Sequence, residues 1–107
     1  MPLTKNHEQT IRVQGQCADW FAICVGALER GRFTRIRADH ESFIVDADYR
    51  GMTVDGSIRV LLMPVRDEVE IEIRIIAAVD NVYAYFIPPL ERILRAFTGY
   101  LPIRELH

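Results

Sequence analysis

Residues Val69 to Val79 read VEIEIRIIAAV, and this stretch decides the fold. Val69, Ile71, Ile73, Ile75, Ala77 and Val79 alternate with Glu70, Glu72, Arg74, Ile76 and Ala78. An apolar period of two sustained over this length cannot give a one-sided helix. It gives a long strand with one buried face.

Upstream the same pattern recurs in shorter form. Ser57–Met63 turns Ile58, Val60 and Leu62 inward, between an Asp55-Gly56 turn signal and Pro64, which is expected to end the strand. Phe43–Arg50 turns Phe43, Val45, Ala47 and Tyr49 inward and Asp46, Asp48 and Arg50 outward. Phe33–Ala38 leads into it through the polar turn Asp39–Ser42. Pairing Ala38 with Phe43 places Ile36 beside Val45, and Arg35 across from Asp46 as a favourable charge pair. Thr10–Gln14, with Ile11 and Val13 on one side, predicts one further short strand.

Two helices complete the order. Cys17, Trp20, Phe21, Cys24, Val25 and Leu28 fall on one stripe at helical spacing, and Gly31 is placed to stop that helix in a left-handed cap. Near the other end, Leu90, Ile93, Leu94 and Phe97 form a stripe that begins at Pro88 or Pro89, with Gly99 at the C-cap. Between the last strand and this helix, Val82–Ile87 reads as an extended or irregular aromatic segment, because Ile87 and Pro88 both precede a proline. A kinked helix starting at Asn81 is the alternative. One apolar sheet face and two one-sided helices predict a single α+β domain over residues 1–107. Its expected form is a two-layer sandwich: an antiparallel sheet of about five strands, with an N-terminal and a C-terminal helix on one face and water on the other.

Composition narrows the function classes. The chain has 107 residues, half of them hydrophobic, and a formal net charge of −2. That is one domain with a core of its own. Neither half is strongly basic or acidic, so nucleic acid and anionic membranes are not expected partners. The longest apolar run, Trp20–Leu28, is far too short to span a bilayer, and the opening residues lack a signal-peptide core, so a cytoplasmic location is expected. Cys17 and Cys24 lie two helical turns apart, too far for a disulfide within the helix, and are expected to be reduced.

No constellation of catalytic residues assembles. Asp46, Asp48 and Gly51 match three positions of an EF-hand loop, but Arg50 and Ser57 stand where oxygen ligands belong. Asp46/Asp48 and Glu70/Glu72 are paired carboxylates on a wet face among arginines, which fits a charge ladder better than acid/base work. His7, His40 and His107 have no partners at metal-ligand spacing, so no metal and no cofactor are expected. Arg30, Arg32, Arg35 and Arg37 cluster around Phe33, a pattern that fits a charged edge strand. Without a nucleophile, base and orienting group, an enzyme ranks below a non-catalytic domain.

The order strand, helix, antiparallel strands, C-terminal amphipathic helix resembles a shortened helix-grip domain of the START-like kind. That resemblance implies a last helix packed across a curved sheet, often roofing an apolar ligand cavity. Saddle-like folds of the TATA-binding-protein type share a similar order. Two functions remain open. The first is a non-catalytic interaction domain that forms a homodimer through the outward Ile44, Leu61, Met63 and Ile76. The second is a module binding a small apolar ligand between the sheet and the last helix, with Trp20, Tyr49, Tyr83, Tyr85 and Phe86 as its candidate lining.

Overall fold

The structure, a computed structural model, describes residues 2–51, 54–80 and 89–102. Seven elements follow in the order β1 (Pro2–Gln14), α1 (Cys17–Arg30), β2 (Thr34–Asp39), β3 (Ile44–Arg50), β4 (Val54–Val65), β5 (Glu68–Asp80) and α2 (Pro89–Thr98). All five strands join one antiparallel sheet in the order β1-β5-β4-β3-β2. The fold is therefore the expected α+β sandwich. No helix among the described residues is long and apolar enough to cross a membrane.

The inward sets of β3, β4 and β5 lie where the alternation puts them. Val45 and Ala47 on β3, Ile58, Val60 and Leu62 on β4, and Val69, Ile71, Ile73, Ile75 and Ala77 on β5 are all buried. From the helices, Phe21, Cys24, Ala27 and Leu28 of α1 and Ile93 and Phe97 of α2 close the same core. Removing this apolar surface from water is the main force holding the two layers together.

Several local expectations are corrected. β1 runs from Pro2 instead of Thr10, because β5 is long enough to pair with all of it, from Pro2↔Asp80 to Gln14↔Glu68. Its first half shows no apolar alternation, so the sequence carries no strand signal there. The β2–β3 hairpin is shifted by one residue at each side. Asp39 pairs with Ile44 and Ala38 with Val45, so Ala38 does not meet Phe43. The loop is His40–Phe43, with Phe43 at φ 55 and outside the strand. Asp39 anchors it by accepting from the Ser42 hydroxyl at 2.7 Å and from the backbone N–H groups of Glu41 and Ser42 at 3.0 and 3.4 Å. The same register sets Arg37 opposite Asp46, and a bulge between Thr34 and Arg37, with Arg35 at φ 51, then leaves Arg35 beside Asp48.

Two turn signals also resolve differently. Gly31 has φ −75, and Arg32 at φ 63 takes the left-handed position instead. Gly31 is small for another reason: a Cβ there would lie 2.2 Å from the Ala96 carbonyl oxygen of α2. Asp55-Gly56 is not a turn but lies inside β4, where Gly56 pairs with Tyr49 and Ala77. A Cβ on Gly56 would meet the Ile76 carbonyl oxygen at 2.3 Å and Ile93 Cδ1 at 2.7 Å, so α2 crosses the sheet at this point. Pro64 does not end β4, which continues to Val65. Leu62 N–H donates to the Phe43 carbonyl, and Pro64, two residues on, turns its nitrogen to the same side beyond the start of β3. A proline there removes no ladder bond.

The buried face of β5 predicts that Ile73→Ala costs about 2–5 kcal/mol in urea unfolding, as a large-to-small change in a packed core, whereas Glu72→Ala costs well below that range. Comparable losses would contradict the assignment of faces. The hairpin gives a pH test. The Ser42 hydroxyl first, and then the Glu41 and Ser42 N–H groups, hold the Asp39 carboxyl below its ordinary range. A depressed folded pKa contributes stability above the unfolded value and loses it as pH falls through the folded one. Asp39→Asn should therefore lower the urea midpoint at neutral pH, with the gap to wild type closing under acid conditions.

Candidate functional site

α2 grips the inner sheet face near the C-terminal end of β3. Gly56 and Ala77, neighbours in register beside Tyr49, form a floor of small residues on which Ile93 rests. Tyr49 is half-buried there and leans on Phe33, with ring centroids 5.4 Å apart at 58°. Phe33 is itself held by the tight exit of α1, where its N–H donates to the Leu28 carbonyl at 3.1 Å. The C-terminal end of α1, the sheet and α2 thus meet around Tyr49. A groove of about 400 Å³ opens at this end, lined by Thr34, Arg35, Asp48, Tyr49, Asp55 and Gly56, with Arg50 at its rim. Its charges balance, two arginines against two aspartates, and Arg35 and Arg37 lie 4.0 and 3.6 Å from the two carboxylate oxygens of Asp48.

Trp20 is elsewhere. It is half-buried at the β1–α1 corner, where its Nε1–H donates to the Gln14 carbonyl at 2.8 Å and its ring lies over Gly15. Gln14 is level with Glu68 on β5, whereas Tyr49 is level with Ala77. Nine residues of strand separate those levels, about 30 Å. Trp20 and Tyr49 therefore do not line one small-molecule site, and Trp20 is a corner clamp. Tyr83, Tyr85 and Phe86, with the whole aromatic segment, lie outside the described residues.

The outward apolar residues are only partly brought together. β3, β4 and β5 are neighbours, and Ile44 faces Leu61 with Met63 next along β4. Ile76, however, faces Ser57, four residues along β5 from Leu61's partner Glu72, which is about 13 Å. The charged row Asp46, Arg59 and Arg74 runs between them. The four side chains are two separate exposures, with Met63 54% and Ile76 51% accessible.

The outer face is a charge ladder. Arg59 binds Asp46 in two-pronged fashion, Nε to Oδ1 at 2.7 Å and Nη2 to Oδ2 at 3.3 Å, which raises the arginine pKa above its ordinary value. Arg74, directly opposite Arg59, is compensated by Glu72 at 2.9 Å and Glu8 at 3.8 Å, and Arg12 by Glu70 at 3.2 Å. Every carboxylate of the two expected pairs is engaged by an arginine. That arrangement neutralises charge across the face.

One polar residue was not legible as a site residue. His7, read only as a histidine near the N-terminus, lies opposite Ile75 on the inward-facing positions of β1, and its Nε2 is buried without a hydrogen-bond partner. The only signal that could have found it is the continuation of β1 beyond its apolar half. Among the described residues no cluster of His, Cys, Asp and Glu could hold a metal ion. Both cysteines are free, and burial pushes Cys24 up to about 12 and Cys17 upward in the same direction, which keeps both protonated at neutral pH.

No protein-family sequence model matches this chain, and no curated protein sequence matches it. Solved structures do match in three dimensions. Norcoclaurine synthase from Thalictrum flavum in truncated form superposes with a TM-score of 0.63 at 12% identity, over 92% of this chain and 91% of that one. The same enzyme in complex with dopamine and hydroxybenzaldehyde gives 0.63 and 12%, over 92% and 84%. A point mutant bound to a transition-state analogue gives 0.59 and 11%. At this identity the likeness is one of fold, and it places the chain, at the level of its layers, with the helix-grip arrangement of sheet and C-terminal helix.

Proposed function

We propose that this domain holds a small neutral molecule in the groove at the Tyr49 end of the sheet, beside the point where α2 crosses it. The observation that carries this reading is the coincidence of two features at one place. α2 crosses the small-residue floor of Gly56 and Ala77 there, and a groove of about 400 Å³ opens beside Tyr49. That volume falls within the range of roughly 300–1,000 Å³ usual for small-molecule sites. The charge balance of its rim favours a neutral ligand over a strongly ionic one, since each arginine has an aspartate beside it.

The fold likeness supports the reading at the level of class. The superposed enzyme binds single-ring aromatic compounds in one of its structures, dopamine and hydroxybenzaldehyde. A ligand of that size suits the Tyr49 groove, where the phenol ring offers an apolar face and a hydroxyl. The unpartnered His7 Nε2 adds a hydrogen-bonding atom on the inward positions of β1, three strands away. Catalysis is not part of the proposal, since no nucleophile–base pair stands at the groove.

Native mass spectrometry of the purified protein should show a copurifying small molecule, and anilinonaphthalene sulfonate should bind saturably with one-to-one stoichiometry. Tyr49→Ala should weaken dye binding by about tenfold, the equivalent of one lost aromatic contact. Trp20→Phe, at the far corner, should leave it unchanged. Absence of saturable binding, or equal weakening by both substitutions, would overturn the reading.

A further inference from the structure

The two edges of the sheet are built differently. β2 is short, is broken by the bulge between Thr34 and Arg37, and carries Arg35 at positive φ. These are the devices by which an edge is closed to other strands. β1, at the opposite edge, has none of them. It runs 13 residues, and its register with β5 is continuous from end to end. No proline interrupts it after Pro2.

The direction of its free hydrogen-bonding groups follows from one contact. Gly15 N–H donates to the Asp67 carbonyl at 3.4 Å, which continues the register Gln14↔Glu68. Odd-numbered residues of β1 thus turn their backbone groups to β5, and even-numbered residues turn theirs to the open edge. The Gln14 carbonyl fits this pattern, since it is met from outside by the Trp20 indole. Asn6, Glu8, Thr10 and Arg12 are left with backbone N–H and C=O groups facing outward from the sheet.

We propose that the occupant of this edge is the β1 strand of a second copy, paired antiparallel about a two-fold axis through Thr10. The charge pattern selects the register. Even-numbered residues must face even-numbered ones for their free groups to bond. Among such registers, one alone sets Glu8 directly across from Arg12: the one that sets Thr10 across from itself. The registers one step away set Glu8 or Arg12 against Thr10 and form no charge pair, and those two steps away place Glu8 against Glu8, or Arg12 against Arg12, which repel. With Thr10 on the axis, the pairs Glu8–Arg12, Thr10–Thr10 and Arg12–Glu8 each exchange two backbone hydrogen bonds. Both charged side chains are accessible for this, Glu8 at 70% and Arg12 at 50%. On the inner face the half-buried Ile11 of each copy lies beside Gln9 of the other, adding apolar cover. The product is one continuous ten-stranded sheet with α1 and α2 of both copies on one side, a closed and self-complementary assembly.

Sedimentation equilibrium on the full chain tests the pairing, with circular dichroism as the control for folding. Wild type should sediment at twice the chain mass. Arg12→Glu sets two glutamates opposite each other at both symmetric positions and should weaken the dimer by about tenfold or more. Glu8→Arg combined with Arg12→Glu restores the opposition of charges and should restore the dimer. Thr10→Pro removes an N–H that faces the edge and no bond to β5, so it should give a folded monomer. If Thr10→Pro loses its dichroism, the charge swap alone decides. A wild type that is monomeric at high micromolar concentration overturns the proposal. So does a dimer indifferent to Arg12→Glu, which would move the contact elsewhere, or a double variant that fails to recover.

Discussion

Ile71, Ile73 and Ile75 of β5 are almost wholly removed from water, and that burial constrains the rest of the molecule. A strand with this face needs hydrogen-bonding neighbours on both sides and a layer above it. β4 and β1 supply the neighbours, pairing along nearly the whole of β5, and α1 and α2 supply the layer. Neither helix could cover the face alone. Gly31 and Gly56 show how tightly they share it, since a Cβ on Gly31 would strike the α2 backbone at Ala96, and one on Gly56 the β5 backbone and the Ile93 side chain of α2.

The sequence was legible where burial is one-sided and regular. The inner residues of β3, β4 and β5 and the stripes of both helices follow from periodicity, because each apolar position faces one common core. It was illegible where an element is held by its partner instead of its own pattern. The polar half of β1 is a strand because β5 is long, and the hairpin register is set by Asp39 gripping Ser42, a side-chain contact that alternation does not encode. Asp55-Gly56 carries the residues of a turn but owes its glycine to the β5 backbone beside it and the Ile93 side chain above. The site was less legible still. Tyr49 was identifiable as inward, but its separation from Trp20 depends on strand order, and His7 depends on the extension of β1.

The outer face illustrates the opposite regime. Arginine and carboxylate alternate along and across strands there, and each pair is open to solvent, so each is worth only a small fraction of a buried contact. Their collective effect is to keep the face water-loving despite Leu61, Met63 and Ile76. The inner face is held by apolar burial and the outer face by exposed ion pairs.

The pairing of β1 with β5 also has a kinetic consequence. β4 and β5 are joined by the two-residue turn Arg66-Asp67 and can zip as soon as both exist. β1 must close a loop spanning α1 and three strands to reach its partner, a closure entropy roughly 3 kcal/mol larger by the logarithmic dependence on loop length. Synthesis makes the delay longer, since the first strand to emerge waits for the last. During that interval β5 is itself an edge, and its run IEIRII is rich in β-branched residues with an unsatisfied ladder. Glu70, Glu72 and Arg74 along that run act as gatekeepers in the nascent chain before they become the charge ladder of the finished one.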